Sequence, residues 1–199
     1  MNKTIYLLCA ILLFAGCTGL HAPAVQDARL YLLDAGAAPG SLPERRNLVI
    51  AVGMPHAQPG FDTPRIAYVQ QAHELSYYAL HRWVAPPAHM LAPLLVQTLE
   101  RSGGFRAVVQ APGAAMADLR LDTELLRLQQ DFDVKPSREQ VVLRVQLSDL
   151  HSGRLLASRV FAESEPAPSE DAYGGVIAAN RALQRILEQL PEFCVHAVR

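Results

Sequence analysis

From Ala117 onward the chain alternates. Leu119, Leu121, Thr123 and Leu125 are separated by Arg120, Asp122 and Glu124, the period of a strand with one face in a core and the other in water. A phase slip at Leu125-Leu126 predicts a bulge. Val141, Leu143, Val145 and Leu147 repeat the pattern, and Asp149-Leu150-His151-Ser152-Gly153-Arg154 supplies turn chemistry before a return strand through Leu156, Ser158 and Val160. These three predict an antiparallel meander. Leu48-Val49-Ile50-Ala51-Val52 has no polar interruption, so it predicts a strand covered on both faces at the centre of a sheet. Ile66–Val69 and Glu74–Tyr78 predict a further hairpin, and Phe105–Val109 another strand.

Two segments carry helical spacing instead. Met90, Leu91, Leu94, Leu95 and Leu99 make one apolar stripe, with Pro86 and Pro87 at its start, where a missing N–H costs nothing, and Gly103-Gly104 at its exit. Val176, Ile177, Leu183, Ile186, Leu187 and Leu190 make a second stripe, which Ser169 is placed to cap and Pro191 to stop. Together the elements predict an α+β fold: a single mostly antiparallel sheet with two helices packed on one face.

The N-terminus reads differently. Residues 1–16 hold one cation at Lys3, an apolar run from Ile5 to Phe14 and the small pair Ala15-Gly16, the three regions of a secretory signal peptide. The run is too short for the roughly 20 residues of a membrane-spanning helix. Phe14-Ala15-Gly16-Cys17 resembles the bacterial lipobox, with Phe where that motif usually has Leu. The resemblance implies that Cys17 is acylated and becomes the first residue of the mature chain. Thr18 follows it in place of the Asp that signals inner-membrane retention, so delivery to the outer membrane is expected. Residues 17–29 then form a lipidated tether, with a reach of roughly 40 Å at about 3.3–3.6 Å per residue, and residues 30–199 a single domain.

Composition narrows the chemistry. Of 199 residues 50% are hydrophobic and 19% charged, with a net charge of −1. That balance suits a packed domain and lacks the dense basic surface that nucleic acid requires. Once Cys9 leaves and Cys17 is acylated, only Cys194 remains, so no disulfide is available within the mature chain. The sequence carries none of the nucleophile-elbow, dinucleotide, phosphate-loop or zinc-protease motifs. His73, His81 and His89 recur at a spacing of eight, which neither a helix nor a strand brings to one metal, and Asp131 and Asp133 read as turn residues. Cys194 reads as a small packed residue. Expected are no enzyme activity, no metal and no cofactor beyond the covalent lipid.

Aromatic residues gather between positions 68 and 83. Tyr68, Tyr77 and Tyr78 fall in the predicted hairpin and Trp83 just before the first helix. Each has two readings: a partner-binding surface, or routine strand packing for the tyrosines and a core plug under the helix for Trp83.

Taken in order, the lipobox, Leu-Tyr-Leu-Leu (30–33), LVIAV, Arg82-Trp83, the Leu-rich helix, Gly103-Gly104-Phe105 and ADLRLDTELLRLQQDF resemble the ABC-type transport auxiliary lipoprotein family, the PqiC-like components of MCE lipid-transport systems. The resemblance spans roughly residues 30–190. It implies a non-enzymatic subunit anchored in the outer membrane by its acyl chains and facing the periplasm of a Gram-negative bacterium. Its partner would be an MCE-domain protein of a transporter moving phospholipid or other hydrophobic molecules between membranes. Some members assemble as rings, so a homo-oligomer is part of the expectation. Two other readings stay open: an outer-membrane biogenesis lipoprotein assisting lipopolysaccharide or β-barrel assembly, and a periplasmic hydrolase.

Overall fold

The computed structural model describes residues 27–34, 42–111 and 117–198. The signal peptide, Cys17 and most of the tether lie outside the described residues. Arg29, the last residue assigned to the tether, is already hydrogen-bonded into the sheet.

One mixed sheet of nine strands organises the described chain: β1 (Arg29–Tyr31), β2 (Arg46–Val52), β3 (His56–Ala57), β4 (Arg65–Val69), β5 (Leu75–Trp83), β6 (Phe105–Gln110), β7 (Leu119–Asp131), β8 (Arg138–Asp149) and β9 (Leu155–Pro166). Two helices, α1 (Pro87–Ser102) and α2 (Ala172–His196), complete the α+β architecture.

Strand β7 is the axis. Along one side it pairs with β8 over its whole length, antiparallel, and β8 pairs with β9 in the same sense. These are the three strands of the expected meander. Along its other side β7 takes three short parallel partners in succession: β2 beside 119–121, β3 beside 124–125 and β4 beside 129–131. Beyond them the sheet divides, with β6 parallel to β2, and with β5 antiparallel to β4 and β1 parallel to β5. The sheet is therefore less antiparallel than its sequence pattern suggests. Alternation identifies strands and their faces; the direction of a neighbour depends on how long connections return, which periodicity does not encode.

The phase slip is a bulge. The β7–β8 register shifts between Leu125 and Arg127, and the buried positions change from Leu119, Leu121, Thr123 and Leu125 to Leu128 and Gln130. Opposite them Val141, Leu143, Val145 and Leu147 are 0–1% exposed. Helix α2 covers this ladder, while α1 packs on β2, β3 and β6 and touches α2.

Helix α1 follows its punctuation. Pro86 and Pro87 begin it, Leu91, Leu95 and Leu99 are 0–1% exposed, and Gly103 closes it with φ 65°, a left-handed conformation open to glycine at no steric cost.

Helix α2 departs from expectation at both ends. Its N-cap is Asp171, whose carboxylate accepts from Gly174 N at 2.8 Å, and Ser169 serves Asp171 by donating to that same carboxylate at 2.7 Å. At the other end Pro191 does not stop the helix, which runs on to His196. An interior proline costs roughly 3 kcal/mol through its lost N–H and ring clash. Burial offsets that cost: Leu190 and Cys194 are 0% exposed and Val195 is 3%, so unwinding the last turns would return three core side chains to water.

Candidate functional site

A row of inward side chains crosses four strands in register: Tyr68 of β4 beside Gln130 of β7, Gln130 beside Glu139 of β8, and Glu139 beside Glu165 of β9. Gln130, Glu139 and Glu165 are 0–5% exposed, an unusual load of polar groups for a sheet interior. Hydrogen bonds offset the burial in part. The Tyr78 hydroxyl donates to Gln130 Oε1 at 2.9 Å, and Gln130 Nε2 donates to Ser137 Oγ at 2.9 Å. Arg185 of α2 reaches Glu165 at 2.5 Å.

The first turn of α2 sits over this row, and two glycines make room for it. A Cβ at Gly175 would stand 2.5 Å from Gln130 Oε1, and one at Gly174 would overlap the Ser169 carbonyl oxygen. Glu170, just before the cap, accepts from Lys135 Nζ and Ser137 N, both at 2.8 Å, and so ties the β7–β8 turn to the helix start. Those two bonds, Lys135 first, hold the Glu170 carboxyl below its usual range, and the Gly174 amide does the same for Asp171. Glu139 behaves oppositely. Its burial pushes the carboxyl well above the ordinary carboxylate range, toward the protonated form. Burial, with Glu139 next, raises the Tyr78 phenol too.

Beside the polar row runs a chain of rings on the same face. Tyr173 at the start of α2 lies 6.2 Å from Tyr31, which stacks on His81 at 5.7 Å and shares a 2.8 Å hydrogen bond with its Nδ1. His81 meets Tyr78 at 5.8 Å, Tyr78 meets Tyr68 at 4.7 Å, and Tyr68 meets Phe132 edge-on at 6.0 Å. Most of these rings are half-buried, and Tyr173 is 55% exposed.

The four aromatic residues singled out from sequence thus separate. Tyr68 and Tyr78 come together. Tyr77 is on the opposite face, where its hydroxyl donates to the Gly60 carbonyl at 3.0 Å and Arg65 covers its ring at 3.8 Å. Trp83 is 3% exposed and packs in the core, so a partner would not reach it without opening the domain; this corrects its assignment to a binding surface. Cys17 lies outside the described residues. The structure adds Tyr31, His81, Phe132 and Tyr173, which no local pattern marks because they come from four separate places in the chain: β1, β5, the turn after β7 and α2. Glu139 is more legible, since extending the Val141–Leu147 alternation back by two residues makes it an inward carboxylate.

Among the described residues no group of three or more His, Cys, Asp or Glu side chains is arranged to hold a metal ion. His73 and His89 stand apart from His81, at a turn and on exposed helix surface. Asp131 accepts from the Asp133 amide and from Gln140, an arrangement of turn and strand. Cys194 is buried in α2, and burial pushes its thiol up, away from the reactive thiolate. An open groove of about 630 Å³ runs between β9 and the end of α2, lined by Arg159, Gln189, Phe193 and His196 among others. What the site offers is contact: rigid aromatic surface over a polar interior.

Residues 31–190 match the model of a family described as ABC-type transport auxiliary lipoprotein component. Among solved structures the chain is similar to protein XCC0632 of Xanthomonas campestris, of family DUF330, with a TM-score of 0.76 and 23% identity over 85% of this chain and 96% of that one. It is also similar to an uncharacterized protein with a TM-score of 0.66 and 14% identity, over 84% and 98% of the two chains. Both likenesses show the fold. No curated protein matches the chain.

Proposed function

The chain belongs to the family of ABC-type transport auxiliary lipoprotein components, and from that premise we propose that it is a non-enzymatic subunit joining an MCE-type conduit to the outer membrane. The observation that carries this reading is the extent of the family match, which takes in β2 to β9, the whole of α1 and α2 as far as Leu190. Acylation at Cys17 would place the protein on the periplasmic face of the outer membrane, and phospholipid or another hydrophobic molecule would be the cargo of the whole apparatus.

Partner contact is assigned to the ring chain, with Tyr68, Tyr78 and Tyr173 as its anchors. Tyrosines held by neighbours lose little rotamer freedom on binding, and such residues dominate interface energetics. The edge of β9 is a weaker choice for strand addition, because Arg159 and Glu163 point toward the helix side and blunt it.

The test is a pull-down of the lipidated protein from detergent-solubilised envelopes, with Cys17→Ala as control and mass spectrometry as readout. Recovery of an MCE-domain protein supports the proposal. Recovery of barrel-assembly or lipopolysaccharide-export proteins in its place would sink it.

A further inference from the structure

Four large apolar side chains that stand in water share one place. Leu30 is 62% exposed, Leu32 59%, Val84 47% and Leu80 38%. The parallel register sets Leu30 beside Arg82, and Val84 N donates to the Tyr31 carbonyl at 2.9 Å, so the ladder continues one residue past β5. Alternation sorts the faces. Tyr31 and His81 turn to the ring chain, and Leu33 and Trp83 to the core, which leaves Leu30, Leu32, Arg82 and Val84 together on the opposite side, next to the exposed Leu80 in the register-shifted stretch of β5.

The end of β1 is anchored to α2. Asn180 of α2 accepts from Asp34 N at 2.5 Å and donates to the Leu32 carbonyl at 3.2 Å, tying the end of β1 to the helix. The patch also carries charge. Arg82 is the register partner of Arg65 across β4 and β5, and both are exposed. Like charges directly opposite one another on a sheet repel. Among the described residues neither has an acidic partner, so the pair is complementary to an anion.

We propose that this face lies on the membrane: Leu30, Leu32, Leu80 and Val84 enter the headgroup region while Arg65 and Arg82 bind anionic phospholipid headgroups. The occupant follows from the chain's own connection. The stretch between Cys17 and β1 reaches at most roughly 40 Å at about 3.3–3.6 Å per residue, so an acyl anchor holds β1 next to a lipid surface at high effective concentration. The inference rests on the lipid-anchored reading above. It adds an orientation, with the ring chain on the side of the sheet facing away from the bilayer.

The experiment uses the lipidated protein in vesicles of phosphatidylglycerol and phosphatidylethanolamine, with an environment-sensitive fluorophore on Leu32→Cys or Val84→Cys, and on Val160→Cys at the far edge as reference. Cys194 is 0% exposed and Cys17 is acylated, so the introduced thiol is labelled alone. Probes at 32 and 84 should shift to the blue and be quenched by spin-labelled lipid at least about twofold more than the probe at 160. The difference should shrink in phosphatidylcholine alone and in Arg82→Glu. Equal quenching at all three positions would overturn the proposal, as would a blue shift insensitive to the lipid quencher, which would mean that protein covers the patch. Failure of the vesicles to carry the protein on flotation would instead overturn the anchored reading beneath it.

Discussion

The sheet has two unlike sides about β7. Toward β8 and β9 it is long, paired along nearly its whole length despite its bulges, and roofed by α2, with Leu143, Val145 and Leu147 all 0% exposed. Toward β4, β5 and β1 it is short and shifts register between Arg65 and Ala67, and its inner face carries tyrosines and a histidine that stay partly in water. The first side removes apolar area from solvent and stabilises the domain. The second leaves surface for contacts on both its faces. The contrast teaches that stability and recognition can be separated within one sheet by where a helix lies across it.

Substitutions can break that separation if it is wrong. The largest effect is expected from Leu143→Ala, which should lower unfolding free energy by about 2–5 kcal/mol in urea titrations through lost transfer energy and a cavity. Partner recovery from still-folded protein should be unchanged. Gly175→Ala comes next at about 1–3 kcal/mol, because the new methyl must displace Gln130, whose amide is committed to Tyr78 and Ser137.

Glu139→Gln should act with the opposite sign. Burial raises the carboxyl's folded-state pKa, so the folded protein retains a proton that the unfolded chain releases. Its contribution is therefore most favourable below the ordinary carboxylate range and is lost as pH rises toward the raised value. Wild-type stability should fall over that interval, while Glu139→Gln should be flatter and more stable at neutral pH. Unfolding curves across pH decide this; a steeper fall in the variant would exclude it. The smallest stability change is expected for Tyr173→Ala, within about 0.5 kcal/mol for an exposed side chain. Recovery of the partner protein should nevertheless drop several-fold, and full recovery would remove Tyr173 from the interface.

Much of the covered side is legible in the sequence. Alternation in β7 and β8 puts Leu121 and Leu143 inside, and the slip at Leu125-Leu126 marks the bulge, because a strand's faces follow from a period of two. The open side is less so. Adjacent residues on a strand face opposite ways, which already separates Tyr77 from Tyr78, yet nothing local brings Tyr31 or Tyr173 to Tyr78. Pro191 misleads because its cost is local whereas the burial of Cys194 and Val195 that offsets it is not.

The chain's pattern by itself determined which segments are strands and helices, which of their faces are apolar, and where the bulge and the first helix begin, since backbone sterics and burial periodicity act within a few residues. Only the tertiary structure decided that β2, β3 and β4 line up parallel along one edge of β7, that Trp83 is core, and that leucines and arginines of three strands share an outer face. Those outcomes depend on contacts between residues far apart in the chain, whose energies appear only once the strands have found their neighbours.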